Sequence, residues 1–357
     1  MPHLSPILTD TRHLYFPVMF SLKDRNTFRI PCFCRRFAEF TDTPSLAALV
    51  AQAHAEHLPI QAIGGGSNLL FVDDFPGLVL HSAITDIECV GEDTEHVLLR
   101  VGSGKVWDEF VAYVLAQGWS GPESLSDIPG EIGASAVQNI GAYGAEAAQF
   151  IVSVEVYDMQ CGESRTIPAA DIHYGYRYSH FKGPWAGQFI ITHVTYRVNK
   201  RYVPRPLHGA LVAEMARQGL DPATADAATV RRLTCAVRRS KLPWPEGPGS
   251  AGSFFMNPTI SARQAQTLLA QYPDMPHYAL PNDMVKVPAA WLIDQCGWKG
   301  RSMGPAGVWH KQPLVLVNNG GATGRDICRL ADAIVADVHQ RFGITLRPEA
   351  IYIGGEQ

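Results

Sequence analysis

The spacing of apolar residues along the chain predicts five helices. They are placed at 43–53, near 105–117, at 229–239, from 261 onward and over about 324–342. Thr43 and Pro44 have the pattern of a cap followed by a proline at the first helical position. Ser261 and Gln264 have capping-box spacing, and Gly343 is expected to stop the last and longest helix.

Short apolar runs rich in β-branched residues predict strands between these helices. The strand-like segments are LPIQAIG, LLFV, GLVLHSA, HVLLRVG, SVEVYDM, FIITHVTYRV, GITL and AIYIG. The interval 200–225 has little periodicity of either kind. Strands and helices alternate irregularly, so we expect an α+β protein of several domains and not a doubly wound parallel sheet.

Composition narrows the class of protein further. The chain has 357 residues, of which 46% are hydrophobic and 18% charged, so two or three folded domains are expected. A formal net charge of -4 argues against broad nucleic-acid binding. No apolar run approaches the ~20 residues of a membrane helix, and residues 1–20 lack the pattern of a secretory signal. We expect residues 1–20 to be a poorly ordered extension.

The seven cysteines are scattered, and only Cys32 and Cys34 are close together. No CxxC pair occurs, so we expect reduced thiols in a cytoplasmic protein and no metal site.

A run of three glycines directly follows a predicted strand. Gly64, Gly65 and Gly66 precede Ser67 and Asn68, and consecutive glycines let backbone N–H groups converge on an anion such as a diphosphate. The spacing is neither GxGxxG nor a P-loop, and no helix pattern follows. Taken alone, a glycine-rich turn is more often structural than a phosphate site.

A second glycine-rich stretch, IPGEIGASAVQNIGAYG, spans 128–144. Gln138 and Asn139 form an amide pair that could hydrogen-bond a heterocycle or a ribityl chain. The structural alternative is a compact loop and helix start with tight backbone packing. Two such stretches in one chain favour a large phosphorylated cofactor.

Three further positions carry potential chemistry. Arg177 lies among aromatic residues, and its guanidinium is a fixed cation suited to a carboxylate or a developing enolate, although a stacked surface arginine is the more common outcome. Ser253 has no GxSxG surroundings, which argues against a hydrolase triad, and the structural alternative is a turn anchored by the two phenylalanines that follow. Glu349 follows a proline between the terminal strand-like segments, where a carboxylate is usually solvated.

Eight segments together resemble the UDP-N-acetylenolpyruvoylglucosamine reductases, the MurB-type flavoenzymes of bacterial peptidoglycan precursor synthesis. The segments are SLKDRNTF at 21–28, GGGSNLL at 64–70, IPGEIGASAVQNIGAYG at 128–144, YRYSHFK at 176–182, RRSKLP at 238–243, AGSFFMNP at 251–258, AAWLIDQCGWKG at 289–300 and LRPEAIYIG at 346–354. They occur in the family's order and cover nearly all of the chain beyond residue 20. The long interval between Arg177 and Ser253 resembles the form of the family that has an extra substrate-covering segment.

The resemblance implies three domains. Two would form a vanillyl-alcohol-oxidase-like (PCMH-type) FAD-binding unit, and the third would be an α+β domain that closes over substrate. The implied division is 21–86 with 343–357, then 87–237, then 238–342. The last strands would return to the first domain and bring Glu349 to the flavin.

It also implies a reaction in two steps, with non-covalent FAD as cofactor and NADPH as co-substrate. NADPH reduces FAD and leaves. Flavin N5 then gives hydride to C3 of the enolpyruvyl ether of UDP-N-acetylglucosamine, which yields UDP-N-acetylmuramate. Carried over by motif, Ser253 donates the proton to C2, and Arg177 and Glu349 stabilise the intermediate. Glu349 could act as a neutral donor or through a water.

The resemblance assigns the remaining site residues to two groups. The expected cofactor-binding residues are Gly64, Gly65, Gly66, Ser67, Asn68, Gly130, Gly133, Ala134, Ser135, Gln138, Asn139, Gly141, Ile191 and Arg238. The expected substrate-binding residues are Tyr176, Lys241, Asn257, Lys286 and Gln295. Two positions depart from the family pattern: His208 stands where relatives often have Tyr, and Ile351 where some have a basic residue.

Two alternatives remain open from the sequence. One is an oxygen-using alcohol or sugar oxidase on the same scaffold, although neither glycine-rich loop contains the His or Cys that often tethers flavin in such enzymes. The other is a non-catalytic flavin or nucleotide binder. We expect a monomer, with the UDP-sugar and NADPH as its partners.

Overall fold

The structure is a computed structural model that describes residues 19–243 and 246–355. The α-helices of this part are α1 (Thr43–Ala55), α2 (Trp107–Ala116), α3 (Ile132–Gln138), α4 (Ala210–Arg217), α5 (Ala227–Lys241), α6 (Ala262–Gln271), α7 (Ala289–Gln295) and α8 (Gly324–Phe342). The strands are β1 (Phe20–Ser21), β2 (Phe33–Phe40), β3 (Ile60–Ile63), β4 (Leu69–Phe71), β5 (Phe75–Ser82), β6 (Ile87–Glu92), β7 (His96–Gly102), β8 (Gly141–Ala142), β9 (Ala145–Glu146), β10 (Ile151–Asp158), β11 (Glu163–Pro168), β12 (Phe189–Asn199), β13 (Gly249–Ser253), β14 (Thr259–Ser261), β15 (Tyr278–Leu280), β16 (Met284–Lys286), β17 (Ser302–Met303), β18 (Ala306–Val308), β19 (Val315–Asn318) and β20 (Ile351–Ile353).

The first sheet has the order β1-β2-β5-β3. Strands β2, β5 and β3 are parallel, and α1 makes the crossover between β2 and β3 that parallel strands require. Leu46 and Val50 of α1 pack on Leu78 and Leu80 of β5, all of them buried. The loop 64–68 leaves this sheet at the end of β3 and leads into β4.

The second sheet is antiparallel, with the order β11-β10-β12-β7-β6. Helices α2 and α3 cover it, and Trp107, Phe110 and Ile132 pack with Leu99 and Val194 in one buried cluster. The second glycine-rich stretch enters and leaves α3, so this sheet positions that stretch against the loop 64–68.

The third sheet, β13-β19-β18-β17, packs against α8. Ile327, Leu330, Ile334 and Val338 form the buried face of this helix, and Gly343 ends it in the left-handed conformation, as the sequence predicts. The same buried cluster includes Leu22, Phe28 and Phe71 near the start of the described chain. Residues near the two ends of the chain therefore share one core.

The α+β class is confirmed, and three local predictions need correction. The cap of α1 is Asp42, whose side chain and backbone complete a capping box with Ser45, and Thr43 is the first helical residue. Residues 200–225 contain α4, which the weak periodicity did not predict. The segment GITL at 343–346 is not a strand, because its Leu and Ile side chains are buried beside α8 without a strand partner.

The structure bears on the predicted terminal extension and on one predicted domain boundary. Residues 1–18 lie outside the described residues, whereas Phe20 pairs in β1 with Cys34, so the sheet already includes the end of the predicted extension. The boundary proposed at 237/238 falls inside α5, which is continuous. The threefold division remains a prediction.

Within the described ranges, no helix combines the length and apolar character needed to span a membrane. All seven cysteines have free thiols, and no cluster of metal-ligating side chains is found among the described residues.

Candidate active site

Two adjoining cavities lie where the three sheets meet. The first has a volume of about 650 Å³ and the second about 760 Å³. Both are lined by Ser67, Pro129, Arg238, Gly252 and Ser253. A ligand in one cavity would therefore touch residues that also face the other.

The loop 64–68 forms one wall of the first cavity. Gly66 has φ +66°, and a Cβ there would lie 2.2 Å from the carbonyl oxygen of Arg25, so only glycine fits. The Ser67 hydroxyl donates to the carbonyl oxygen of Pro129 at 3.0 Å, which ties this loop to the second glycine-rich stretch.

The second glycine-rich stretch packs against the loop 64–68 at van der Waals distance. A Cβ at Gly65 would lie 3.5 Å from the Cα of Gly130, and Gly130 has φ +117°. A Cβ at Gly133 would meet Ser103 at 3.0 Å, so this turn of α3 lies directly on the strand behind it. The small residues leave backbone groups of both loops at the cavity surface, as a large phosphorylated ligand requires.

Arg177 lies in a tight turn at the far end of this cavity. Gly175 and Tyr178 exchange backbone hydrogen bonds across the turn, and Arg177 has φ +54°. Its Nε donates to Oε1 of Glu349 at 2.8 Å, and its Nη2 donates to the carbonyl oxygen of Gly141 at 2.5 Å. The guanidinium is thus fixed in direction before any ligand arrives.

Glu349 reaches the cavity because the chain end returns to the start of the fold. Strand β20 pairs in parallel with β4, and the Asn68 side chain donates to the Glu349 carbonyl oxygen at 3.1 Å. Burial raises the pKa of the Glu349 carboxyl group, and the cations of Arg177 and Lys182 only partly oppose that increase. A proton on this carboxyl group is therefore easier to retain than on an exposed glutamate.

Ser253 lies next to this pair and borders both cavities. It ends β13 at an irregularity in the pairing with β19, and its side chain is exposed. The neighbouring Phe254 accepts a backbone hydrogen bond from Glu349 at 2.7 Å. One short backbone bridge thus sets the position of the serine relative to the carboxyl group.

Cationic side chains gather at the second cavity, whose lining includes Arg238, Arg239, Lys241, Lys286 and Asn257. The Arg238 Nε donates to the carbonyl oxygen of Asp127 at 3.0 Å, and burial lowers the pKa of its guanidinium. The cavity therefore suits an anion.

Tyr176 connects two of the expected substrate residues at this cavity. The Lys286 Nζ lies 4.1 Å from the centre of the Tyr176 ring, and the Asn257 side chain donates to the Tyr176 hydroxyl at 3.2 Å. The Asn257 oxygen also accepts from the backbone N–H of Ala289 at the start of α7. These contacts fix the amide orientation of Asn257.

Most of the residues predicted from the sequence are brought together. The first cavity is lined by Gly64, Gly65, Gly66, Ser67, Asn68, Gly130, Gly133, Ala134, Ser135, Gln138, Gly141, Ile191 and Arg238, together with Arg177, Ser253 and Glu349. Within that set, the Ser135 hydroxyl turns away from the cavity to the Tyr196 hydroxyl at 2.7 Å.

Asn139, Tyr176 and Gln295 do not line either cavity, although Tyr176 contacts Asn257 and Lys286, which line the second. Asn139 is fully buried behind the wall, where its amide holds Gly175 and Glu146. It supports the turn that carries Arg177. Gln295 is exposed at the end of α7, and its backbone oxygen accepts from Arg341, so the structure places it away from the expected substrate.

Sequence reasoning missed two charged residues in the first cavity. Glu131 follows Gly130, accepts a hydrogen bond from His81 Nε2 at 2.9 Å, and leaves its Oε2 without a hydrogen-bond partner in the described chain. Lys182 donates to Gln138 and to the backbone of Arg177. Both residues lie inside the motifs quoted above. Their titratable side chains were the feature of the sequence that could have marked them as site residues.

The two departures from the family pattern both face cavities. His208 lines the second cavity and lies so close to Gly144 that a Cβ there would approach its ring at 2.4 Å. Ile351 lines the first cavity from β20. The structure thus places an imidazole beside the expected substrate and an apolar side chain beside the expected flavin.

The first cavity fits FAD on three observations. Its two glycine loops form a cradle that branched side chains would fill, as the contacts at Gly65 and Gly130 indicate. The unpaired Glu131 oxygen is an acceptor that a ribose or ribityl hydroxyl would satisfy. The adjoining second cavity leaves room for a reacting partner beside Ser253.

Comparison with known proteins agrees with this geometry. The C-terminal domain model of UDP-N-acetylenolpyruvoylglucosamine reductase matches residues 243–353, and an FAD binding domain model matches residues 35–167. The chain is 45% identical over 334 residues to the UDP-N-acetylenolpyruvoylglucosamine reductase of Bacteroides fragilis, covering 94% of this chain and 99% of that protein. It is 44% identical to the Porphyromonas gingivalis protein of the same name, covering 94% and 98%.

The fold has a counterpart among solved structures. The crystal structure of UDP-N-acetylenolpyruvylglucosamine reductase (MurB) from Thermus caldophilus superposes with a TM-score of 0.64 at 23% identity, covering 94% of this chain and 98% of that one. Fold and cavities define an FAD-dependent oxidoreductase. The chain belongs to the UDP-N-acetylenolpyruvoylglucosamine reductase family, which confirms the resemblance found in the sequence motifs.

Proposed function

We propose that this protein uses FAD and NADPH to reduce the enolpyruvyl ether of UDP-N-acetylglucosamine to UDP-N-acetylmuramate. The observation that carries the proposal is the position of Ser253, which lines both cavities and shares the first with the Arg177–Glu349 pair. Family membership supports the same substrate.

FAD would lie in the first cavity, with its diphosphate on the loop 64–68 and its remaining parts along the stretch 128–141. Bound there, FAD supplies hydride transfer from NADPH to C3 of the vinyl ether. The chain's own part is to hold the reactants in line and to exclude water. The two glycine loops do so through backbone contacts, and Gln138 and Arg238 contribute polar groups to the same wall.

Ser253 would deliver the proton. Hydride addition at C3 places negative charge on C2 and on the adjoining carboxylate. A carbanion of that kind is basic enough to take a proton from a serine hydroxyl, which is a weak acid. The hydroxyl then regains its proton from water, so one hydride and one proton are added in each turnover.

Arg177 and Glu349 would stabilise the enolate that precedes protonation. The guanidinium is preorganised by Glu349 and by the backbone of Gly141, so it does not need to reorganise as charge develops. The raised pKa of Glu349 favours a neutral carboxyl group that donates a hydrogen bond. Donation through a water is the second possibility.

The cations of the second cavity would hold the uridine diphosphate and carboxylate oxygens. Lys241 and Lys286 each offer a compact charge with several donors, and Asn257 offers an oriented amide. His208 would face the same ligand. Gln295 lacks a position at either cavity, so we leave it out of the proposed substrate site.

Stopped-flow measurement of the two half-reactions tests this function. Anaerobic NADPH should bleach the bound flavin, and the enolpyruvyl substrate should restore its yellow absorbance. A purified chain that is colourless and cannot be reconstituted with FAD would overturn the proposal. Bleaching by NADPH followed by recovery only with oxygen would instead favour an oxidase.

Two rival functions have their own tests. A tethered-flavin oxidase should keep flavin on the pellet after acid precipitation, whereas a reductase with exchangeable FAD should release it. The described residues that line the first cavity include neither His nor Cys, which favours release. A non-catalytic binder should keep its yellow absorbance when NADPH is added without oxygen.

We further propose a monomer that acts in the cytoplasm. Arg177, Ser253 and Glu349 come from one chain and meet in one cavity, so a second copy is not needed to complete the site. The seven unpaired thiols fit a reducing compartment. Light scattering during gel filtration would test the oligomeric state.

A further inference from the structure

A partly buried amine that the proposed mechanism does not use lies beside the catalytic pair. Lys182 ends the short 3-10 helix His180–Lys182 and lines the first cavity. Its Nζ donates to Oε1 of Gln138 at 3.0 Å and to the carbonyl oxygen of Arg177 at 3.1 Å. An ammonium has three N–H donors, so one remains after these two contacts.

The contact with the Arg177 carbonyl bears on the direction of the guanidinium. Arg177 has φ +54°, a left-handed conformation that is unfavourable for a residue with a side chain unless its surroundings hold it. Lys182 links that strained peptide to Gln138 on α3, while Asn139 holds Gly175 at the start of the turn. The turn is therefore clamped at two points.

Charge gives a second and separate reason to single out this amine. Lys182 and Arg177 both favour the ionised form of the Glu349 carboxyl group, against the burial that raises its pKa. Burial likewise lowers the pKa of Lys182, and the Glu349 carboxylate opposes that decrease. The three groups thus form one electrostatic cluster.

The other ionisable groups around the cluster are few and can be named. They are Tyr176 and Tyr178 in the same turn, His180 on the 3-10 helix, Glu146 beside Asn139, and Glu131 and Arg238 in the cavity wall. Within the described part of the chain, none of these neighbours forms an ion pair with Glu349, whose ion-pair partner is Arg177 of the cluster itself.

We propose that Lys182 is a positioning residue for the reduction. Its ammonium anchors the Arg177 peptide to Gln138 and completes the charge cluster around Glu349. The proposal rests on the proposed function, because the value of a fixed guanidinium lies in the enolate it would meet. It assigns Lys182 no contact with substrate.

Replacing Lys182 with Met tests this role. Reoxidation of the reduced flavin by the enolpyruvyl substrate should slow by about 10-fold to 100-fold, because a displaced guanidinium no longer meets the developing charge. Lys182→Arg keeps a cation and several donors and should recover most of that loss. Lys299→Met, which removes an exposed lysine that pairs with Asp294, is the matched control and should match the wild type.

A measurement without turnover separates positioning from general destabilisation. Infrared spectroscopy of the oxidised enzyme can follow the C=O stretch of the protonated Glu349, assigned by its loss in Glu349→Gln. Loss of a nearby cation should move the titration of this band to higher pH in Lys182→Met, and Lys182→Arg should restore it. An unchanged titration would overturn the proposal.

Two further outcomes are covered. If Lys182→Met fails to retain flavin, Lys182→Gln replaces it, because Gln keeps an N–H donor without the charge. The Glu349 band of this variant should also titrate at higher pH, and an unchanged titration would again overturn the proposal. If the wild-type flavin is never reoxidised by the enolpyruvyl compound, the proposed function fails. The infrared titration would then still decide whether Lys182 belongs to the Glu349 cluster.

Discussion

Single residues in the first cavity are controlled mainly by backbone geometry. Arg177 needs a left-handed turn, Glu349 needs the parallel pairing of β20 with β4, and Ser253 needs the irregular end of β13. None of these three side chains has unusual neighbours in the sequence. Each gains its chemical role from groups that are distant in the chain, as Arg177 does from Glu349 across 172 positions.

Ser253→Ala should separate the two half-reactions. Reduction by NADPH should stay nearly unchanged, because it needs no proton on C2. Reoxidation by the enolpyruvyl substrate should slow by about 10²–10³, on the order of 3–4 kcal/mol for the loss of one preorganised donor. Stopped-flow absorbance gives both rates, and Ser164→Ala on the exposed strand β11 is the control. Equal losses in both half-reactions would contradict the proton-donor role.

Glu349→Gln should change the pH dependence of reoxidation. Because burial raises the pKa of Glu349, the neutral form persists to higher pH than for an exposed glutamate, and the rate should fall as pH rises through that pKa. Gln cannot ionise, so this alkaline limb should disappear.

Glu123→Gln provides the control for this pH profile. Glu123 is also buried with a raised pKa, but it does not line either cavity. Its variant should retain the limb. Persistence of the limb in Glu349→Gln would mean that another group titrates.

At the scale of elements, the two glycine loops act as one unit. Neither could be assigned a ligand from its own spacing, because loop 64–68 matches no phosphate motif and the second stretch opens only a short helix. The structure joins them through Ser67 and Pro129 and through the close approach of Gly65 to Gly130. A local sequence pattern could not predict this contact between the two loops, because they are 62 positions apart.

Gly65→Val should abolish FAD binding without unfolding the chain. The Cβ at this position would meet Gly130 at an ordinary 3.5 Å, so the backbone tolerates it, but the branched side chain would occupy the cradle. Flavin absorbance after gel filtration with excess FAD is the measurement. Gly91→Val, on β6 and away from both cavities, should stay yellow. A yellow Gly65→Val protein would argue against the nest.

The elements themselves were predicted unevenly, for physical reasons. Helix α8 was predicted to the residue because a long apolar stripe ends at a left-handed glycine. The cap of α1 was misplaced by one position, since Asp42 and Thr43 can both cap and it is Asp42 that forms the capping box with Ser45. Helix α4 was missed because its eight residues bury only Leu211 and Met215, which is too weak a stripe to detect.

At the scale of the whole molecule, the motifs predicted which residues form the site, but they did not predict how those residues are arranged around the two cavities. Motif order indicated which residues meet, and nearly all of the expected cofactor residues line one cavity. Among the expected cofactor residues the exception is Asn139, which is turned into the wall. Among the expected substrate residues, Tyr176 lines neither cavity and Gln295 faces solvent. Lys182 was overlooked because its two acceptors become apparent only when α3 lies beside the turn.

The first cavity joins parts of the fold that otherwise belong to separate sheets. The loop 64–68 leaves the first sheet, α3 covers the second, and Ser253 ends β13 of the third. A ligand that touches all three should therefore resist their separation. Because FAD would bind only the folded chain, it should stabilise that chain by about 2.7 kcal/mol when its free concentration is 100-fold above Kd.

This linkage should appear as an unfolding temperature that rises with FAD concentration. Differential scanning calorimetry of the flavin-free protein, titrated with FAD, measures the rise. It should vanish in Gly65→Val, which keeps all three sheets but blocks the cradle, and persist in Gly91→Val. An unfolding temperature that does not respond to FAD in the wild type would mean that the cavity does not take the cofactor, because a ligand specific for the native state must raise it.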